Sequence, residues 1–201
     1  MDRKTRDKPR LPTGQTLTKK WPVLHYADVP SVPLDRFRLR VWGAVDNPIE
    51  WTWDELRALP HAKLRTDFHC VTTWSTYDND WDGVLFKDIA ARVSPSPTAR
   101  AVMMHSSDGY TTNVPLADLM DDDVLLVWGW NGEPLTPEHG GPLRLVVPKL
   151  YAWKSAKWLA GFEFMPRNRR GYWEERGYHN RADPWLEERY SHQETAEDEA
   201  T

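Results

Sequence analysis

The chain has 201 residues, 28% of them charged and 40% hydrophobic, with a formal net charge of −4. That is the size of one domain with tails, rich enough in apolar residues to bury a core. A near-balanced charge gives no general pull toward nucleic acid or membrane, no apolar run spans a bilayer, and one cysteine excludes an internal disulfide.

Residues 1–20 are polar and basic and predict a loose arm. The opening "MDRKTRDKPRLPTGQ" lacks the apolar segment of a secretory signal, so a cytoplasmic location is expected. The body of the protein is expected over residues 21–190. The last stretch, 191–201, is acidic and predicts a disordered tail. Within the body the elements are short. "RFRLRVWG" alternates as a strand does and stops at Gly43. "TWDELRALP" starts a short helix, with Thr52 and Glu55 spaced as a capping box and Pro60 closing it. "AKLRTDFHC" alternates again and delivers Cys70 at the end of a strand, where it meets a polar loop. "LFKDIAARV" predicts a second helix. "AVMMHSS", "YTTNV", "VLLVWGW" and "LRLVVP" predict further strands, and Asn131-Gly132 suits a two-residue hairpin. The fold class is α+β, with strand-rich mixed sheets and short helices at their edges.

Two stretches carry chemistry. A lone cysteine is by default an inert buried side chain. Cys70 is placed differently, between His69 and a Thr-Thr-Trp run at the end of a strand, where function concentrates. One thiolate cannot build a multi-cysteine zinc or iron–sulfur site. It can act as a nucleophile, or as the sole protein ligand of a metal already held by a large cofactor. The second stretch is "EHGGPLRLVVPKLYAWKSAKW", which gathers His139, Arg144, Lys154, Ser155 and Lys157 within about twenty positions. Cations set among Tyr151, Trp153, Trp158 and an apolar strand need partners, and a phosphate suits them. The chain also has 12 tryptophans. Scattered from Trp21 to Trp185, they read as core fillers before stacking platforms, although a Trp-rich carbohydrate or single-stranded nucleic-acid binding module stands as the alternative from another class.

Together, "HCVTTWS", "WDGV", "DGYTTNVPL", "HGGPLRLVVPKLYAWKSAKWL" and "GYHNRADPW" resemble, in this order, the molybdenum domain of the sulfite oxidase family, in particular its short bacterial members. The resemblance runs from Lys19 to Tyr190. It implies that family's fold and a molybdenum–molybdopterin cofactor, with Cys70 as the protein ligand of the metal and the catalytic residue. It implies that His139, Arg144, Lys154, Ser155 and Lys157 grip the pterin and its phosphate. His25 and Tyr26 in "LHY", and Asp108 and Thr112 in "DGYTTN", lie in further cofactor-facing stretches. His69 and Thr72 flank the thiolate.

The resemblance implies an oxidoreductase that moves two electrons with oxygen-atom transfer on a small molecule. In the family's sulfite oxidases the cysteine loop runs into asparagine and paired arginines. Here it continues Val71, Thr72, Thr73, Trp74, and Val23 and Leu24 precede His25 where an arginine is expected. "CVTTW" is closer to the branch that reduces S-oxides or N-oxides, such as the methionine sulfoxide reductase catalytic subunits. Those are typically exported by a twin-arginine signal, which is missing here. True sulfite oxidation is the alternative, with Arg181 as a substitute cation. With no haem module in the sequence, a separate haem or flavin protein is the expected electron partner.

Overall fold

The computed structural model describes residues 9–195. The first expected arm and the acidic tail therefore lie partly outside the described residues.

Two sheets pack on one another. The strands are β1 (Thr16–Leu17), β2 (Arg38–Gly43), β3 (Ile49–Thr52), β4 (Ala62–His69), β5 (Trp74–Leu85), β6 (Ala101–Ser106), β7 (Thr111–Pro115), β8 (Leu125–Trp130), β9 (Glu133–Pro134), β10 (Arg144–Val146) and β11 (Leu159–Met165). Three short helices join them: α1 (Trp53–Arg57), α2 (Phe86–Val93) and α3 (Leu116–Leu119). One sheet runs β3-β2-β11-β6-β7, with β11 and β2 parallel. The other runs β1-β5-β8-β10, with β4 on β5 and β9 on β8. This is the mixed, strand-rich α+β architecture expected.

Local signals act where they stand. Thr52 accepts from the Glu55 N–H while the Glu55 carboxylate accepts from the Thr52 N–H, and the capping box starts α1. Asn131 and Gly132 both take positive φ, 51° and 86°, and join β8 to β9 as an Asn-Gly turn does. Along β8, Leu126 and Trp128 face the core between the sheets, with Phe162 and Phe164 of β11 and Phe86 of α2. Leu125 and Val127 face the opposite way, onto Phe68, Trp81 and Trp21. The larger sheet is thus buried on both faces, which explains the near-continuous apolar run "VLLVW".

One expectation changes and another becomes specific. Cys70 meets a polar loop, as expected, and the loop is short. The Cys70 N–H donates to the Trp74 carbonyl at 2.9 Å and its carbonyl accepts from the Thr73 N–H at 3.1 Å, so residues 70–74 form a tight turn between β4 and the 12-residue β5. Part of the expected loose arm, within residues 9–20, is held in place. Thr16 and Leu17 pair in parallel with Trp74 and Ser75, and Arg10 forks onto Asp67 and lies 4.0 Å over the Tyr77 ring. At the other end Glu194 accepts from the Asn180 N–H at 2.7 Å and pairs with Arg170. Paired polar groups thus extend to both ends of the described residues.

Candidate active site

A cavity of about 330 Å³ opens between the cysteine turn, the segment 21–26 and the stretch 139–158. Cys70 directly follows β4 and lines one side, and Arg144, opening β10, lines another. His25, Tyr26, Thr72, Asp108, His139, Ser155 and Lys157 are also on the wall. Most of the residues expected at the site are therefore brought together from six separate segments.

Arg144 is the most informative of them. It is 2% exposed. Its guanidinium donates to the His139 and Ser155 carbonyls at 2.9 and 3.0 Å and lies 5.1 Å over Trp21. Among the described residues no carboxylate pairs with it, and burial alone pushes its pKa down to about 9. A cation held dry without a counter-charge is a site prepared for an anion. Lys157 stands beside it. Its ammonium donates to the Leu24 and Glu138 carbonyls at 2.9 and 2.7 Å, which leaves one N–H of three. Burial, then the nearby Arg144 charge, pushes its pKa down to about 7.

The Cys70 thiol is buried, and burial raises its pKa; the Thr72 hydroxyl, 3.2 Å from the sulfur, acts in the opposite direction. A bound metal cation would overcome that burial penalty, because the thiolate is the ligating form. Two polar atoms on the same wall, Ser106 Oγ and Trp74 Nε1, are buried without a protein partner. Among the described residues no three His, Cys, Asp or Glu side chains gather as a metal cage. The donor set fits a metal that brings its own chelate, together with an anionic group at Arg144 and Lys157.

Three expected residues lie behind the wall. The Lys154 ammonium is fully buried 2.6 Å from Glu174 Oε1 and also donates to the Asn113 and Asn180 carbonyls. Thr112 donates to the same Glu174 oxygen at 2.8 Å. The His69 ring meets Ser75 Oγ at 2.8 Å, and burial pulls its pKa down to about 4, so the ring is neutral at physiological pH. These three are structural supports in this geometry. Lys154→Met is accordingly expected to cost the empty protein about 3–5 kcal/mol in urea unfolding, since Glu174 would stay buried without its cation. Other wall residues escaped the sequence reasoning. Tyr110 and Tyr178 line the cavity, and no spacing in their stretches marks them. His139 grips the protein rather than open space: its ring stacks 4.3 Å from Trp21 and meets the Trp21 carbonyl at 3.1 Å. Gly140 and Gly141 press against Lys157 and the Leu135 carbonyl, so the glycines serve internal packing. Arg181 faces away, paired with Asp118 at 3.3 Å. Five tryptophans (Trp21, Trp74, Trp153, Trp158 and Trp173) converge on the cavity instead of forming a surface platform. The carbohydrate or nucleic-acid tracker reading loses its support there.

The profile described as "Oxidoreductase molybdopterin binding domain" matches residues 26–173. The chain belongs to this family. It is a molybdopterin-binding oxidoreductase, and the family's cofactor is the molybdenum cofactor. It is 46% identical over 183 residues to the uncharacterized oxidoreductase YuiH of Bacillus subtilis, spanning 90% of this chain and 92% of that one. It is 31% identical over 165 residues to YedZ1 of Azospira oryzae, named as a candidate protein-methionine-sulfoxide reductase subunit, spanning 81% of this chain and 63% of that one. Human mitochondrial sulfite oxidase is 26% identical over 183 residues, and the match spans 34% of its length. The fold is that of the sulfane dehydrogenase SoxCD of Paracoccus pantotrophus, with a TM-score of 0.68 at 21% identity over 80% of this chain and 47% of the other. No helix among the described residues is long and apolar enough to cross a membrane.

Proposed function

We propose that this oxidoreductase seats the molybdenum cofactor in the cavity with Cys70 as the protein ligand of the metal, and reduces a small, uncharged S-oxide or N-oxide. The observation that carries the reading is that the sole cysteine and a dry, acid-free guanidinium line the same cavity. Arg144, Lys157 and Ser155 would hold the anionic end of the cofactor, and the tryptophans would exclude water from the pterin. When bound, the cofactor supplies a metal able to exchange an oxygen atom and two electrons, and that chemistry is its own. The protein holds the Cys70 sulfur at the cavity wall, with the Thr72 hydroxyl placed to donate to the thiolate.

The substrate class follows from charge. The turn residues that line the cavity with Cys70 are Val71, Thr72 and Trp74, all uncharged, and the cation nearby is Lys157. Arg181, the substitute cation that a sulfite reading calls for, is occupied by Asp118. A dianion such as sulfite needs cations beside the metal. A neutral oxide does not. In balance, an S-oxide takes two electrons and two protons and leaves as sulfide and water, so the electrons come from a separate haem or flavin protein. The purified protein is expected to carry molybdenum and pterin fluorescence in equal amounts. With an artificial electron donor, it is expected to reduce oxides at a rate that changes little with salt. Protein expressed with a full cofactor supply but free of both would sink the reading. A steep fall in rate with salt would return sulfite as substrate.

A further inference from the structure

We propose that Arg189 is a positioning residue for Cys70 that also balances charge at the metal. This rests on the reading of Cys70 as the metal ligand.

The cysteine turn is held from behind by both ends of the chain, each outside the matched span 26–173. From one end, Gln15 Nε2 donates to the Cys70 carbonyl at 3.2 Å, and the Thr16 N–H donates to the Thr73 carbonyl at 2.8 Å. From the other, the Arg189 guanidinium donates to the Val71 carbonyl. The two ends meet at Gly14, where a Cβ would lie 3.0 Å from the Glu187 carboxylate and 3.4 Å from the Arg189 guanidinium. Three carbonyls of the turn, those of Cys70, Val71 and Thr73, thus each have a donor from outside it, which restrains the direction in which the Cys70 side chain leaves the backbone.

Arg189 does more than donate one hydrogen bond. Its side chain is 13% exposed and lies 5.1 Å over the Tyr151 ring, in low-dielectric surroundings. Glu187, 3.9 Å from it, is 44% exposed and screened by water, so it cancels the charge weakly. Residues 70–74 of the turn include no cation, and Lys157 stands near the sulfur on the cavity side. Arg189 therefore adds a positive charge from behind the sulfur to that of Lys157 on the cavity side. Such a charge favours the thiolate and the more electron-rich, reduced metal.

The test uses the loaded holoenzyme. Arg189→Met is expected to keep its molybdenum, to lower the reduction potential of the metal, and to slow turnover about 10–100-fold. Arg189→Lys, which keeps the charge, is expected to restore both. An unchanged potential in Arg189→Met overturns the inference, as does a potential in Arg189→Lys lowered as far as in Arg189→Met. If Arg189→Met does not fold, Arg189→Gln, which keeps a donor and loses the charge, takes its place with the same two outcomes. X-ray absorption at molybdenum separates this inference from the reading beneath it. A sulfur count that does not fall in Cys70→Ser sinks the ligand assignment and the inference with it. A fall in Cys70→Ser, with potentials unmoved in the Arg189 variants, sinks only the role of Arg189.

Discussion

Cys70→Ser is expected to abolish turnover, by on the order of 10³-fold or more, beyond the 10–100-fold typical of residues that merely support a metal ligand. The same change is expected to leave the fold intact. The Cys70 sulfur meets the Thr72 hydroxyl at 3.2 Å, a contact that a serine hydroxyl can also make. The turn itself is held by backbone and side-chain bonds to its carbonyls, which the substitution does not touch. The swap is close to isosteric, so unfolding free energy is expected to move by no more than about 1.5 kcal/mol. Turnover, metal content and thermal unfolding of one preparation check all three points. Full activity in Cys70→Ser would remove the thiolate from the metal.

Arg144→Ala is expected to give cofactor-poor protein. A hydrogen bond from a charged donor contributes about 1.5–3 kcal/mol, so losing the guanidinium weakens binding of the anionic end by roughly 10–100-fold. Lys157 adds a pH dependence that can be read without the cofactor. In the empty protein its pKa lies at about 7, below the ordinary lysine value, because burial disfavours the charged form. An anion favours that charged form, so binding above pH 7 takes up a proton. Sulfate, which does not itself titrate in this range, is therefore expected to bind more weakly as pH rises from 7 toward 9. Lys157→Met is expected to bind it weakly throughout, with the slope near pH 7 lost. Stability follows the opposite trend. Between about pH 7 and the ordinary lysine range the unfolded chain binds more protons than the folded one, so this residue makes the empty protein more stable as pH rises. Calorimetric titration with sulfate at several pH values, alongside urea unfolding, checks both signs. Pterin content in Arg144→Ala equal to that of the unaltered protein would separate this wall from the cofactor.

Much of the framework was legible because its causes are local. The Thr52–Glu55 capping box, the Asn131-Gly132 turn and the alternation of "RFRLRVWG" act over a few residues, and each forms where it was expected. The strands β5 and β11 were harder to read. "WSTYDNDWDGVL" is full of Asp, Asn and Gly, which disfavour strands in isolation, yet β5 pairs with β4, β8 and β1. Its polar side chains find partners only after those neighbours arrive, as when Arg65 of β4 forks onto Asp80.

The residues themselves announced the chemistry: one thiol at a strand end, a cluster of cations in apolar company, and motifs in an order that a cofactor-binding family shares. Which side chains reach the cavity was a matter for the folded chain. Lys154 and Lys157 look equivalent in "KSAK", but a buried acid twenty residues on, Glu174, captures the first and leaves the second on the cavity wall. Arg189 comes to the cysteine turn from 118 positions away. Spacing along a chain reports what neighbouring residues can do together. It carries no information on where a distant counter-charge will be buried, and burial decides whether a charged group serves a ligand or the protein's own interior.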